Sequence, residues 1–333
     1  MSGVKYINKS TKRFIAVLLG MAMIFSVSGC GNKKNIPNAY KLSSDVFGLY
    51  HTGDELNSGN HLMSTELCVV NENIDNAEID MSLAEAAGLF DITNYETLYA
   101  KNVHEKLFPA STTKILTAYI VLKYGNLDDI VTISRDNITL ESGSRHCGLK
   151  EGDQISVKEL LYGLLLKSAN DAANALADYI SGSTESFAEM MNEEAQLLGA
   201  TNSHFVNAHG LHDEEHYTTV YDLYLIFQEA LKNEVFREIA GSTSYTASYQ
   251  DASGNPVEVK WENTMQYFTL NKIPPEGVTI IAGKTGTTSK AQSCLVLLSE
   301  NAEGEEFISI ILKSRDRGVL YDEMNNLLEE INK

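Results

Sequence analysis

Strand patterns gather towards the two ends of this chain and helix patterns fill its middle, so any single sheet has to be closed by segments far apart in sequence. Two β-leaning stretches, Ala84 to Ile92 and Glu96 to Lys101, flank Thr93-Asn94-Tyr95 and read as a hairpin. After Pro109 the pattern turns helical: Ile115, Leu116, Tyr119, Ile120 and Leu122 recur at helical spacing, and Gly125-Asn126 supplies a stop. Ser156 to Glu159 (SVKE) has the form of a capping box and opens an apolar helix through Leu160, Leu161, Leu164 and Leu165. Further helices are predicted from Asp171 to Ile180, Ser186 to Leu198 and Thr219 to Lys232. Strands return from Ser244 to Trp261, as a pair around Ser253-Gly254-Asn255-Pro256. They continue from Val278 to Gly286, Ser293 to Glu300 and Phe307 to Ser314, before a closing helix from Val319 to Ile331. An antiparallel sheet completed by both ends of the domain, with helices on its faces, accommodates that order and makes the fold an α/β (α+β) one.

A different kind of segment precedes the fold. Residues 1–29 hold a basic start (Lys5, Lys9, Lys12, Arg13), an apolar run from Phe14 to Val27, and Ser28-Gly29 ahead of Cys30. That is the layout of an export signal, and the run is shorter than the roughly 18–20 residues of a membrane-spanning helix. It resembles a bacterial lipoprotein signal, which implies lipidation at Cys30; an ordinary cleaved signal with an incidental cysteine is the alternative. Either one predicts work outside the cytoplasm, with lipid anchoring to the outer face of the cell membrane in the first case. Residues 30–64 are polar and read as a linker, leaving 65–333 for one domain.

The net charge of −19 argues against nucleic acid and against electrostatic adhesion to anionic lipid. Membrane attachment would therefore rest on the lipid. Beyond Cys30 only Cys68, Cys147 and Cys294 remain, an odd number without C-x-x-C spacing, so neither a disulfide framework nor a zinc ribbon is indicated.

Chemistry-bearing residues appear at three places. Ser111 and Lys114 form S-x-x-K at the predicted helix start, although the same tetrad at Ser2 to Lys5 shows how little it means alone. A serine hydroxyl needs a base to take its proton and donors to hold the oxyanion that forms. Positions i and i+3 share a helix face, and Lys114 can serve as base only if burial or a neighbouring cation keeps it neutral. S-x-N stands at Ser168-Ala169-Asn170 between two predicted helices, and K-T-G at Lys284-Thr285-Gly286 on a predicted strand. S-x-N recurs elsewhere in the chain, whereas K-T-G occurs once.

In order and context the trio resembles that of the penicillin-recognising serine enzymes. The stretches LYAKNVHEKLFPASTTKILTA, LLYGLLLKSANDAANALADYI and GKTGTTSKAQSCLVLL are similar to low-molecular-mass D-alanyl-D-alanine carboxypeptidases, and the likeness runs from about Cys68 to the C-terminus. The resemblance implies a β-lactamase/transpeptidase-like fold whose five-stranded antiparallel sheet is formed by both ends of the domain. It implies that Ser111 attacks the penultimate D-alanine of a peptidoglycan stem peptide, releases the terminal D-alanine and is trapped by β-lactams. Lys114 would be the base, Ser168 a proton relay to the departing amine, and Asn170 a ligand of the substrate amide and of Lys114. Lys284 would face the terminal carboxylate and help keep Lys114 neutral, with Thr285 and Thr287 donating to that carboxylate. The N–H groups of Ser111 and Thr287 would form the oxyanion hole, and Gly286 would leave room for the substrate backbone. No cofactor and no metal are implied.

Three departures and three rivals accompany the resemblance. Ala169 replaces a common glycine, and Gln292 follows Ala291 where the family usually has an Ala-Gly pair, which bears on the shape of the site's edge. With one helix after the last strand, the chain is expected to lack the C-terminal β-domain and anchor helix of some members, an N-terminal lipid taking the anchor's place. A β-lactamase of this fold would need a deacylating glutamate in E-x-x-L-N, and Glu189-Met190-Met191-Asn192 is one residue short. His204, His209, His212 and His216 crowd together with acids, as in a zinc site, but without H-E-x-x-H. A cell-wall sensor that binds penicillin without turnover is the third rival.

Overall fold

The computed structural model describes residues 66–333; the export leader, Cys30 and the linker lie outside them. In chain order the elements begin with β1 (Ala84–Asp91), β2 (Glu96–Lys101), a 3-10 turn (Ala110–Thr113), α1 (Lys114–Tyr124), β3 (Ile130–Thr132), α2 (Arg135–Ile138) and β4 (Gln154–Ser156). Then come α3 (Val157–Leu166), α4 (Asn170–Ser181), α5 (Thr184–Leu197), α6 (Val220–Leu231) and α7 (Glu234–Gly241). The chain closes through β5 (Ser244–Gln250), β6 (Pro256–Glu262), β7 (Thr279–Thr288), β8 (Gln292–Glu300), β9 (Glu306–Ser314) and α8 (Arg317–Glu330). Among the described residues no helix is long and apolar enough to cross a membrane.

Five strands form the main sheet in the order β2-β1-β9-β8-β7, all neighbours antiparallel. Its N-terminal hairpin is zipped to the C-terminal strands by β1 and β9, where Ala86 faces Leu312 and Gly88 faces Ile310. The centre of this sheet is buried on both faces, which is why β8 reads as an almost unbroken apolar run rather than an alternating one. Cys294, Val296 and Leu298 share a core with Ile115, Leu160, Ala172 and Tyr224 of the helical middle. Leu295 and Leu297 turn the other way, towards Leu320, Met324 and Leu328 of α8. Each fully buried Leu or Ile contributes about 1.5–3 kcal/mol, so the sheet is held from both of its sides, with the larger cluster on the side of the helical middle. Strand β7 remains at the edge.

The strand pair expected from Ser244 to Trp261 forms, but it joins a second, four-stranded sheet in the order β3-β4-β5-β6. The reason is its one-sided pattern: of these two strands only Ala247 and Trp261 are buried, and a strand wet on one face cannot sit inside a sheet covered on both. The capping box at Ser156 is half made. Ser156 Oγ accepts from the Glu159 N–H at 3.2 Å, but the Glu159 carboxylate turns to accept from the Ser248 N–H of β5 at 2.6 Å, so it ties helix to sheet instead. Cys68, Cys147 and Cys294 are all free thiols.

A long loop between α5 and α6 folds back over the 3-10 turn. Its Phe205 exchanges two hydrogen bonds with the Asn192 side chain, and Thr218 exchanges two with Leu107. His216 is the bolt: Thr113 Oγ1, which donates to Ala110 O, lies 2.8 Å from Nε2, while Nδ1 accepts from the Val206 N–H at 3.1 Å. These partners require a neutral ring protonated on Nε2. Burial is the main cause that pushes the imidazole down to about 4.

The His216 bolt and the backbone at Gln292 each have a measurable consequence. An unfolded His216 titrates near 6.5, so below that pH the unfolded chain binds a proton that the native chain refuses. The stability His216 contributes is then complete above about pH 6.5 and is lost as the pH falls towards 4. In urea titrations between pH 6.5 and 4.5, His216→Gln is expected to lose stability less steeply than the parent, by about 1 kcal/mol per pH unit; parallel slopes would show that the ring is not held neutral. Secondly, Gln292 takes φ 54°, a left-handed conformation that costs a side chain about 1–2 kcal/mol. Gln292→Gly should leave the unfolding midpoint unchanged or slightly raised, and Gln292→Val should lower stability by at least about 1 kcal/mol relative to Gly.

Candidate active site

The 3-10 turn that follows Pro109 carries Ser111. Thr112 Oγ1 donates to Pro109 O and Thr113 Oγ1 to Ala110 O, both at 2.8 Å, so the two threonines tighten the turn with their own side chains. At three residues per turn, i and i+3 eclipse, which stacks Lys114 directly behind Ser111. Lys114 is fully buried. Its Nζ donates to Asn170 Oδ1 at 2.8 Å and to His209 O at 2.6 Å and lies 3.2 Å from Ser111 Oγ.

Ser168 sits in the middle of the short link between α3 and α4 in a left-handed conformation, φ 59°, and Asn170 is the first residue of α4. On the facing wall Lys284 of β7, 2% exposed, donates to Ser168 Oγ at 2.9 Å and to Thr285 O at 3.0 Å. The S-x-x-K, S-x-N and K-T-G elements are thus brought together as two lysine-centred clusters. Thr287 Oγ1 donates to Gly286 O at 2.7 Å, and Thr285 Oγ1 lies 3.3 Å from Thr264 Oγ1. A cleft of about 260 Å³ runs between the walls, lined by Ser111, Ser168 and Asn170 on one side and by Thr285, Thr287 and Arg317 on the other.

Both lysines are held below their ordinary range. Burial, with Lys284 and Arg145 nearby, drives Lys114 well down, against a smaller opposing effect of Asp171. Burial, with Arg145 and Arg317, pushes Lys284 down to about 7. The lysines therefore share the cleft at neutral pH because neither is forced to keep its proton.

Gly286 has a structural reason of its own, beside the room expected for a substrate backbone. A Cβ there would stand 2.8 Å from Pro109 O and 3.0 Å from Ser111 N, so the glycine lets the 3-10 turn approach the strand. Gly210, φ 83°, does the same from the loop, since a Cβ would meet Ala110 O at 1.8 Å. The serine's turn is gripped between two glycines.

Sequence reasoning missed the His209 carbonyl, Arg145 and Arg317. A backbone acceptor carries no side-chain signal, and neither arginine belongs to a motif. Arg145 is placed by Asp171, a buried carboxylate that accepts from the N–H groups of Cys147, Gly148 and Leu149, while Asn170 N–H donates to Arg145 O at 2.8 Å. The four histidines have separate partners: His204 Nδ1 meets Glu215 O, His209 Nδ1 accepts from Leu211 N–H, His212 Nε2 meets Glu214, and His216 bolts the loop. Among the described residues no three His, Cys, Asp or Glu side chains gather as they would around an ion.

Residues 73–316 match the family described as D-alanyl-D-alanine carboxypeptidase. The carboxypeptidase DacF of Bacillus subtilis is 34% identical over 218 residues, covering 64% of this chain and 53% of that protein. DacD of Escherichia coli is 39% identical over 241 residues, covering 68% and 57%. The chain therefore spans a little over half the length of these curated relatives. Among solved structures the Streptomyces K15 DD-transpeptidase superposes with a TM-score of 0.70 at 32% identity, over 75% of this chain and 97% of that one. The fold is that of the penicillin-binding DD-peptidases, and the chain belongs to the D-alanyl-D-alanine carboxypeptidase family.

Proposed function

We propose that the protein is a serine D-Ala-D-Ala carboxypeptidase that removes the terminal D-alanine from peptidoglycan stem pentapeptides and is acylated by β-lactams. The observation that carries this reading is the surroundings of Lys114 Nζ. Two of its neighbours, His209 O and Asn170 Oδ1, can only accept hydrogen bonds. A neutral amine gives them its two protons and is left with a lone pair for the third neighbour, the Ser111 hydroxyl at 3.2 Å. The side chain is oriented as a base before any substrate arrives.

Ser111 Oγ then attacks the carbonyl carbon of the penultimate D-alanine while its proton passes to Lys114. The oxyanion is held by the N–H groups of Ser111 and Thr287. As the C–N bond breaks, the proton goes to the departing amine through Ser168, which Lys284 holds in place. Free D-alanine leaves, and water resolves the Ser111 ester. Asn170 serves the substrate amide as well as Lys114. The terminal carboxylate is received by Thr285 and Thr287, whose hydroxyl must turn from Gly286 O, and by Arg317, which sequence reasoning did not single out. An anion beside Lys284 favours its charged form, so the substrate itself supplies the charge that the empty cleft discourages.

Among the described residues no glutamate lines the cleft, and Glu189 stays exposed on α5. The leader-like start supports export and membrane anchoring through a lipid on Cys30.

The mechanism depends on a lysine that can shed its proton. Lys114→Arg keeps the charge and cannot lose it, so penicillin acylation, followed by mass spectrometry, is expected to slow by about 10²–10⁴-fold, with an unchanged far-UV spectrum. Ser111→Ala should form no adduct and release no D-alanine. In the parent, acylation should fall as the pH drops through the lowered pKa of Lys114. An adduct forming at the parent rate in Lys114→Arg would remove Lys114 as the base.

A further inference from the structure

A second hollow, of about 490 Å³, lies outside the cleft, and a split in the smaller sheet creates it. Strand β5 pairs with β6 along its whole length but meets β4 only at Gln154 and Gln250. In that register Ser248 would stand opposite Ser156, but its N–H donates to the Glu159 carboxylate at 2.6 Å and the ladder stops. Side chains from β4, β5 and the start of α3 are left lining the gap: Gln154, Glu159, Tyr245, Ser248, Tyr249 and Gln250.

Their chemistry selects against a charged ligand. No lysine, arginine or histidine lines the hollow, so an anion has no counter-charge there. Its one carboxylate is already engaged on both oxygens, Oε1 by the Ser248 N–H and Oε2 by the Ser156 hydroxyl at 3.3 Å. What stays free is neutral: among the described residues the Gln154 and Gln250 carboxamides, the Ser248 hydroxyl and the phenols of Tyr245 and Tyr249 have no protein hydrogen-bond partner. The two tyrosines share one face of β5 and are half-buried, whereas the glutamines and Ser248 are exposed. Tyr245 is also fixed. Its ring stacks on that of Tyr162 with centroids 3.6 Å apart and planes at 4°, and the Tyr162 hydroxyl donates to Glu238 at 2.7 Å. A rigid aromatic face beside uncharged donors and acceptors fits a ligand with an apolar face and hydroxyl or amide groups at its edges, which describes a pyranose.

We infer that the hollow is a saccharide site that holds a strand of β-linked N-acetylated amino sugars, the polymer from which the stem peptide hangs. The identity of the sugar rests on the carboxypeptidase reading; the preference for a neutral, hydroxylated ligand does not. An acetamido group gives each glutamine carboxamide a partner of its own kind, with N–H donating to C=O in both directions. The tyrosines, four residues apart on an extended strand, stand about 13 Å from each other, so they offer two stations along a chain rather than one pocket for a single sugar. Tyr249 also adjoins the loop at the cleft's rim. Burial, followed by charge on Asp153, Cys147 and Asp171, raises its phenol, and Asp171 holds Cys147 in the loop whose Arg145 lines the cleft. A glycan seated here keeps its peptides beside the nucleophile and raises their local concentration without touching the chemistry.

The test titrates the full chain calorimetrically with a β-linked tetramer of N-acetylglucosamine that carries no peptide. The parent is expected to bind with Kd on the order of 0.1–1 mM. Tyr249→Ala should weaken binding about 3- to 10-fold, and so should Gln154→Ala combined with Gln250→Ala. The glutamine side chains are exposed, so their removal leaves the fold in place and decides the matter even if Tyr249→Ala does not fold. D-Alanine release from a soluble pentapeptide should be the same in parent and variants, while release from glycan-linked pentapeptide should show a raised KM in the variants. No binding by the parent at about 10 mM sugar overturns the inference, as does unchanged affinity in the paired glutamine variant. So does a trilysine peptide that binds more tightly than the sugar and loses affinity in the same variants, since the hollow then serves a cation. A parent that binds the tetramer but releases no D-alanine overturns the carboxypeptidase reading and leaves the saccharide site standing.

Discussion

Lys114 is the constraint to which the rest of the site answers. A fully buried ammonium is costly, and the way a folded chain normally avoids the cost is to let the group lose its proton. Here that escape is the useful state. Burial, Lys284 and Arg145 all favour the neutral amine, and Asp171, which opposes them, already accepts several backbone N–H groups. The same aspartate that orders the Arg145 loop is thereby kept from acting as a counter-ion strong enough to restore the lysine's charge.

Burying Lys114 requires four chain segments to meet: the 3-10 turn, the start of α4, the loop through His209, and β7. The sheet order makes this possible by leaving β7 at the edge, where its outer side can accept the serine's turn instead of another strand. The approach is closer than side chains permit, hence Gly286 and Gly210 on either side of the turn. His216 then locks the loop to Thr113. The position of the nucleophile is thus set by packing between segments together with the Thr112 and Thr113 hydrogen bonds inside its own turn.

That division explains what could be read from the sequence. The helices, the hairpins and the enclosing sheet follow from periodicity and punctuation, because each is a local pattern repeated over several residues. The serine, both lysines and Asn170 were legible through three short motifs whose order and context mattered more than any one of them. The assignment of β5 and β6 to a separate sheet was encoded in their one-sided wetting, but turn signals alone do not say which sheet a hairpin joins. Short elements such as β3 and α2 fall below the length at which periodicity can be recognised. The His209 carbonyl, Arg145 and the packing of the 3-10 turn on Gly286 depend on contacts between residues far apart in the chain, and no local pattern records them.

The backbone angles point the same way. Ala110 and Ser168, one directly before the nucleophile and one within S-x-N, both have side chains and both take left-handed conformations, with φ 49° and 59°. Each is disfavoured by about 1–2 kcal/mol relative to ordinary backbone, so neither follows from local preference. They persist because what surrounds them is over-determined: Ala110 is 2% exposed and its carbonyl is held by Thr113, while Ser168 is 3% exposed and gripped by Lys284. Strain of this kind collects where the fold imposes a geometry instead of accepting one. In this chain it brackets the two hydroxyls that the proposed proton path connects, which implies that the doubly covered sheet and the helical core stabilise the very conformations that aim Ser111 and Ser168 into one cleft.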